Sequence, residues 1–334
     1  VSFDGEFRLR KATRSSTSVG GPNSPSFVPA YRRLGREELA RRAQQALTRL
    51  KECRVCPHRC GVDRTAGEKG FCKAGARALV SSYGPHFGEE APLVGLHGSG
   101  TIFFGLCNMR CIYCQNYQLS WGGEGDPVTA EELARMMLWL QGIGCHNINF
   151  VSPTHFVPQI LEGLVLAAER GLHLPLVYNC GGYEALETLA LLDGIIDIYM
   201  PDLKYADAET ARRYSGVRDY PAVAKAAIKE MQRQVGDLTF DENGIALRGL
   251  LVRHLVLPGG LAGTAELMEF LAREVSANCF VNVMAQYHPC LHAWEHPPLD
   301  RRPTPAEYRA AVAAARDRGL RVYRDWVPPF LGYQ

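Results

Sequence analysis

Thr101-Ile-Phe-Phe-Gly-Leu-Cys107-Asn-Met-Arg-Cys111-Ile-Tyr-Cys114 is the stretch on which the reading of this chain turns. Its first four residues are β-branched or aromatic and read as a buried strand. Gly105-Leu106 ends that strand, and three cysteines follow at C-x3-C-x2-C spacing. They therefore lie on a short loop at the C-terminal end of the strand. Three thiolates on so compact a loop suit three irons of a [4Fe–4S] cube and leave the fourth iron open to another ligand. Electron-transfer clusters generally use four cysteines, so a three-cysteine set points to a cluster that binds something further. The competing readings are a zinc site short of one ligand, or three unrelated core thiols. Cysteines gathered this tightly beside Asn and Arg do not form a core pattern.

Outward from this loop the chain repeats one rhythm. Apolar runs with strand character are expected at 101–104, 147–151, 175–178, 195–200, 250–257, 279–284 and 320–323, with helical segments between most of them. Thr129-Ala-Glu-Glu132 and Thr304-Pro-Ala-Glu307 are capping boxes that open two of the helices. Intervals of this length fit β/α crossovers, hence a mainly parallel sheet. The fold class is α/β, a complete or partial β/α barrel, with an open doubly wound sheet as the competing layout. In each of these, function belongs at the C-terminal ends of the strands.

With the strand-and-loop context in place, the cysteine loop resembles the radical S-adenosylmethionine (SAM) superfamily, whose C-x3-C-x2-C carries an aromatic residue before its third cysteine. The wider string, Gly98-Ser-Gly-Thr-Ile-Phe-Phe-Gly105 followed by Cys107 to Gln115-Asn116, is similar to the PflX group, relatives of the activating enzyme of pyruvate formate-lyase. The likeness runs from about Cys53 to the C-terminus. It implies a partial (β/α)6-type barrel and a [4Fe–4S] cluster on Cys107, Cys111 and Cys114, with SAM bound through its amino and carboxylate groups to the open iron. It implies one-electron cleavage of SAM to methionine and a 5′-deoxyadenosyl radical that abstracts a hydrogen atom. It also implies a single-electron donor such as flavodoxin or ferredoxin. The substrate suggested is a glycyl position of a protein or peptide. A small molecule or a peptide natural-product precursor remains open, as does a non-catalytic iron–sulfur or redox-sensing protein.

Further candidates lie at the ends of the later strands. Ser152-Pro153-Thr154-His155 stands where many relatives carry Gly-Gly-Glu-Pro. Ser152 and Thr154 are candidate SAM contacts, with a helix N-cap as the alternative. Asn179-Cys-Gly-Gly-Tyr183 allows close backbone approach to a ligand, and Asn179 takes the place of a family acid. Asp202-Leu-Lys204 matches the family's Asp-x-Lys, two side chains on one side of an extended segment. Arg253-His254-Leu-Val-Leu-Pro258-Gly259 matches a further family string, which implies that His254 contacts SAM. In Gln286-Tyr-His-Pro289-Cys290, Tyr287 and His288 are candidates to face the substrate, and Cys290 is a candidate hydrogen-atom relay or an incidental thiol.

A second cysteine group, Cys53, Cys56, Cys60 and Cys72, has C-x2-C-x3-C-x11-C spacing. Four thiolates complete a tetrahedral zinc site or a closed auxiliary [4Fe–4S] site, and zinc is the slightly favoured reading. A helix is expected over 35–52, with Leu39, Ala43, Ala46, Leu47 and Leu50 on one face. The 84–90 segment, with His86, Glu89 and Glu90, is expected as a solvated loop. The domain reading is a mobile arm at 1–34, the helix and cysteine-rich segment at 35–96, and the barrel at 97–334.

Composition agrees with this reading. The chain has 334 residues and 46% are hydrophobic, so a sizeable core is available. Lys plus Arg is 37 and Asp plus Glu 35, a net charge of +2 that supports neither nucleic acid nor a membrane surface as partner. No apolar run reaches about eighteen residues, and no secretory h-region is found. Eleven cysteines are an odd count and cluster as ligands rather than as a disulfide framework, which is the pattern of a cytoplasmic protein. Cys145, Cys180 and Cys279 are expected to pack in or beside strands.

Overall fold

A computed structural model describes residues 27–325. Ten strands form one sheet: β1 (Ala78–His86), β2 (Ser99–Phe104), β3 (Asp126–Val128), β4 (Ile148–Val151), β5 (Leu176–Cys180), β6 (Ile198–Pro201), β7 (Thr239–Phe240), β8 (Ala246–Leu255), β9 (Phe280–Met284) and β10 (Arg321–Val322). The order is β10-β9-β8-β6-β5-β4-β2-β1-β3, with β7 paired to β8. From β2 through β10 every neighbouring pair is parallel. These seven strands are the seven runs expected from sequence. Burial on both faces makes such strands near-continuous apolar runs, and that is why they were visible. The sheet is a mixed, largely parallel one, consistent with a partial barrel.

The edge is where the fold departs from expectation. β1 pairs antiparallel with β2 and β3, so β2 is covered on its outer side. His86 ends β1 opposite Ser99, which puts the 87–94 segment at the N-terminal end of the parallel strands. The solvated loop expected at 84–90 is therefore corrected. Glu90 is buried, and the Glu89 side chain is 8% exposed beside Arg253.

Parity along the strands separates two faces. Leu176, Tyr178, Leu250 and Val252 belong to the large core shared with the helices. Val177, Ile198, Met200, Leu251 and Phe280 belong to a small separate cluster on the opposite face. With a period of two, Asn179, Asp202 and Arg253 share that second face. Both capping boxes form, at Thr129–Glu132 and Thr304–Glu307.

The helix expected at 35–52 covers Arg36–Thr48 and buries Leu39, Ala43 and Ala46. Residues 1–26 of the expected arm lie outside the described residues. The end of that segment is a short helix, Ala30–Leu34, with Tyr31 buried. Asp197, fully buried, accepts from the backbone N–H of Ala30 at 2.9 Å and of Leu176 at 3.1 Å. No helix among the described residues is long and apolar enough to cross a membrane.

Asp197 thus holds the Ala30–Leu34 helix against β5. Asp197→Ala leaves two buried N–H groups unpaired, and each such group costs about 1–3 kcal/mol. The variant is expected to lose about 2–6 kcal/mol in urea unfolding. A change below about 0.5 kcal/mol, the usual range for surface substitutions, would show that the tether contributes nothing.

Candidate active site

Strand β2 ends at Phe104, and the loop after it carries Cys107, Cys111 and Cys114. Backbone bonds strap this loop in place, Arg110 N–H to Ser215 O at 3.0 Å and Ile112 N–H to Tyr214 O at 2.9 Å. The three thiols line a cavity of about 240 Å³ together with Ser152, Asn179, Cys180, Asp202, Lys204, Arg253, Met284 and Gln286. These residues come from the C-terminal ends of β2, β4, β5, β6, β8 and β9. Seven of the residues singled out from sequence meet here: the three cysteines, Ser152, Asn179, Asp202 and Lys204.

A charged network forms the wall opposite the thiols. Lys204 Nζ donates to Asp202 Oδ2 at 2.6 Å, and Arg253 Nε donates to Asp202 Oδ1 at 2.9 Å. Arg253 Nη2 reaches Asn179 Oδ1 at 2.7 Å. Burial works against the Asp202 charge, but Arg253 and Lys204 outweigh it and hold its carboxyl below the usual range. Burial likewise opposes the Lys204 charge, yet Asp202 and Cys111 keep its ammonium protonated. Arg253 is assigned no role by the sequence. It is the hub of the network, because parity puts it on the site face and its neighbour His254 on the other.

The sulfur environment is built to receive a cation. Burial pushes the Cys107 thiol up to about 12 and Cys111 up to about 11, while Lys204 draws both down. Cys111 and Cys114 add to the rise at Cys107, so a positive group among them would relieve the crowding. Hydrogen-bond donors already face the sulfurs. Ser215 Oγ donates to Cys111 Sγ at 2.9 Å, Ser120 Oγ to Cys114 Sγ at 3.1 Å, and Met109 N–H to Cys107 Sγ at 3.4 Å. Sequence gave no sign of Ser120 or Ser215, which act only after folding. Among the described residues, no three or more His, Cys, Asp or Glu side chains are arranged to hold a single metal ion as they stand.

Five candidates are elsewhere. Thr154 Oγ1 donates to Glu184 Oε1 at 2.6 Å and does not line the cavity; neither Ser152 nor Thr154 makes a helix-capping bond. His254 is fully buried, with Nδ1 2.7 Å from Leu203 O and Nε2 2.8 Å from Thr264 Oγ1. Tyr287 is a core residue whose hydroxyl donates to Leu299 O at 2.6 Å and whose ring meets Tyr113 edge-on. His288 Nδ1 lies 3.1 Å from Gln115 Nε2, and the Cys290 thiol donates to Tyr113 O at 3.2 Å. Gln115 and Gln286, beside these residues, are the ones that line the cavity. The two glycines differ: Gly181 lines the cavity, whereas Gly182, at φ +81, is packed against backbone, and a Cβ there would lie 2.3 Å from Asp202 O.

In the second cysteine group, Cys53, Cys56 and Cys72 are buried and Cys60 is partly exposed. Burial raises the Cys56 and Cys72 thiols, and the other thiols of the set add to it. A Cβ on Gly70 would lie 2.6 Å from Cys60 Sγ. Arg64, 1% exposed, anchors the segment by donating to Gly75 O at 2.9 and 2.6 Å and to His155 O at 2.7 Å. Cys145, Cys180 and Cys279 are buried.

The family model for the radical SAM superfamily matches residues 101–243. The uncharacterized protein MJ0674 of Methanocaldococcus jannaschii is 31% identical over 288 residues, spanning 83% of this chain and 78% of that protein. A second uncharacterized protein of that organism, MJ0808, is 25% identical over 169 residues, 46% of this chain and 49% of that protein. Among solved structures, Streptococcus suis SuiB bound to precursor peptide SuiA has a TM-score of 0.41 and 13% identity, over 65% of this chain and 46% of that chain. SuiB bound to S-adenosylmethionine has a TM-score of 0.40 and 13% identity, over 65% and 44%. The chain spans about half the length of these solved structures. It belongs to the radical SAM superfamily and is an enzyme of that superfamily, whose typical cofactors are a [4Fe–4S] cluster and SAM.

Glu184, the partner of Thr154, also accepts from Tyr178 at 2.9 Å. Burial still raises its carboxyl to about 7 from an ordinary 4.5. The folded state then holds a proton that the unfolded chain releases at lower pH. The stability this adds is full below about 4.5 and is lost as pH rises through about 7. Relative to Glu184→Gln, the parent is expected to lose stability steadily between about pH 5 and 8 in urea unfolding. Parallel curves for the two proteins would contradict the raised carboxyl.

Proposed function

We propose that Cys107, Cys111 and Cys114 hold a [4Fe–4S] cluster, that SAM binds beside it in the same cavity, and that the chain takes a hydrogen atom from a glycyl position of a protein or peptide. The observation that carries the cofactor part is the meeting of three thiols and the Lys204–Asp202–Arg253–Asn179 network around one cavity. When bound, the cluster and SAM supply one-electron reductive cleavage of SAM, so that a substrate C–H bond becomes a carbon radical and methionine and 5′-deoxyadenosine are released. The residues supply binding and orientation. Lys204 offers a cation for the SAM carboxylate, and Asp202 accepts from the amino group. Asn179 offers a further donor and acceptor, with its orientation set by Arg253. Ser120 and Ser215 donate to thiolate sulfur and steady the loop.

The string over 98–116 supports a PflX-like subgroup and, with it, the glycyl substrate and a flavodoxin or ferredoxin as electron donor. Reduced clusters and free thiols require a reducing compartment, which supports a cytoplasmic setting. The four-cysteine spacing supports a closed metal site and fits zinc and an auxiliary [4Fe–4S] cluster alike; zinc is slightly preferred because no long electron path is required.

Three measurements follow. Anaerobic reconstitution, dithionite reduction and chromatography are expected to yield SAM-derived 5′-deoxyadenosine; no yield above a Cys111→Ala control would sink the enzyme assignment to this site. Lys204→Ala is expected to weaken SAM binding by about 2 kcal/mol or more, roughly 30-fold, in equilibrium dialysis; unchanged affinity would remove Lys204 from the site. Metal analysis of the triple Cys107, Cys111 and Cys114→Ala protein is expected to leave one zinc per chain, and iron without zinc would give the second site to an auxiliary cluster.

A further inference from the structure

His58, inside the four-cysteine segment, makes direct contact with the loop that carries the other three cysteines. Its Nε2 lies 2.9 Å from Asn108 O. A carbonyl oxygen only accepts, so the ring donates. Asn108 follows Cys107 and is 2% exposed; its own Nδ2 donates to Tyr183 O at 2.7 Å. This residue is therefore fixed at both its backbone carbonyl and its side chain, and one of the two fixings comes from the 53–72 segment. On the other side, the His58 backbone N–H lowers the Cys56 thiol against the rise caused by burial. His58 thus stands between a cysteine of the second group and the backbone that follows Cys107.

The ring itself is held in place. It stacks on Phe71 with centroids 3.8 Å apart and meets Tyr183 edge-on at 5.2 Å. Phe71 precedes Cys72, and its carbonyl accepts from Arg110 Nη2 at 3.3 Å. The Arg110 guanidinium sits over the Phe71 and Trp121 rings at 5.7 and 5.2 Å. Arg110 precedes Cys111. Both residues that flank the inner part of the three-cysteine loop, Asn108 and Arg110, are gripped from the 53–72 segment.

We infer that the four-cysteine segment is a clamp on the SAM-cluster loop, and that His58 is the positioning residue through which it sets the geometry of Cys107. The inference rests on the reading that Cys107, Cys111 and Cys114 hold the cluster. Groups behind a metal ligand orient it, and their loss typically costs about 10–100-fold in metal affinity. Hydrogen bonding around the sulfurs also moves the reduction potential of an iron–sulfur cluster. The second cysteine group thereby belongs to the active site instead of forming an independent module.

The test uses the full chain with His58→Ala and His58→Gln, the second chosen because its side-chain N–H can reach the same carbonyl. Iron retention against a chelator, the electron paramagnetic resonance spectrum of the reduced protein with and without SAM, and the potential from a redox titration are compared with the parent. His58→Ala is expected to lose iron affinity by about 10-fold or more and to change both spectrum and potential. His58→Gln is expected to recover most of the parent values. Parent-like affinity, spectrum and potential in His58→Ala would overturn the clamp. Equal loss in both variants would also overturn it, by assigning the effect to ring packing on Phe71. Iron in the parent that survives Cys111→Ala intact would overturn the cluster reading and the clamp with it.

Discussion

Two largely buried cations and one largely buried acid govern this molecule. Lys204 and Arg253 both face the cavity, and neither is tolerable there without a partner, because removing charge from water costs several kcal/mol per ion. Asp202 accepts from both. Arg253 then carries the network from β8 to Asn179 on β5. The Asp202–Arg253 pair therefore joins three strand ends, and with Lys204 it sets the charge that the thiols experience. The sheet register delivers this arrangement, since Asp202 bridges Arg253 directly where β6 ends. The chemistry at the loop depends on the parallel strands being in that register.

Much of this was legible in sequence, for physical reasons that differ by element. The seven parallel strands were visible because both of their faces are buried and their composition shows it. The two capping boxes were visible because the cap is a local interaction. The three cysteines were visible because ligand spacing is itself local. β1 was hidden, since only Ala78, Leu79 and Val80 in Ala78–His86 form an apolar run, and Ser81, Ser82, Gly84 and Pro85 after them have the composition of a turn. Once it pairs with β2, the following turn swings Glu89 and Glu90 inward, and nothing in a charged, glycine-containing stretch announces that. Arg253 and His254 show the limit most sharply. Sequence places them side by side on a strand, but only the assembled sheet tells which of the two faces the cavity.

The N-terminal segment was half legible. Its four cysteines mark a metal site by spacing alone. That the segment packs on the other cysteine loop depends on His58 and Phe71, and its anchoring to His155 depends on Arg64; these partners lie 50, 39 and 91 residues away in the chain. Long-range contacts of this kind leave no periodic or local signature. They give the segment a physical reason to accompany the barrel in one chain.

Three thiolates from this loop are proposed to hold a cluster with one iron left for SAM. Mössbauer spectroscopy of the iron-reconstituted protein, before and after SAM is added, separates the iron sites. A single iron site is expected to change its isomer shift and quadrupole splitting while the others stay as they were. A spectrum indifferent to SAM, with every iron already in an all-cysteine environment, would contradict it.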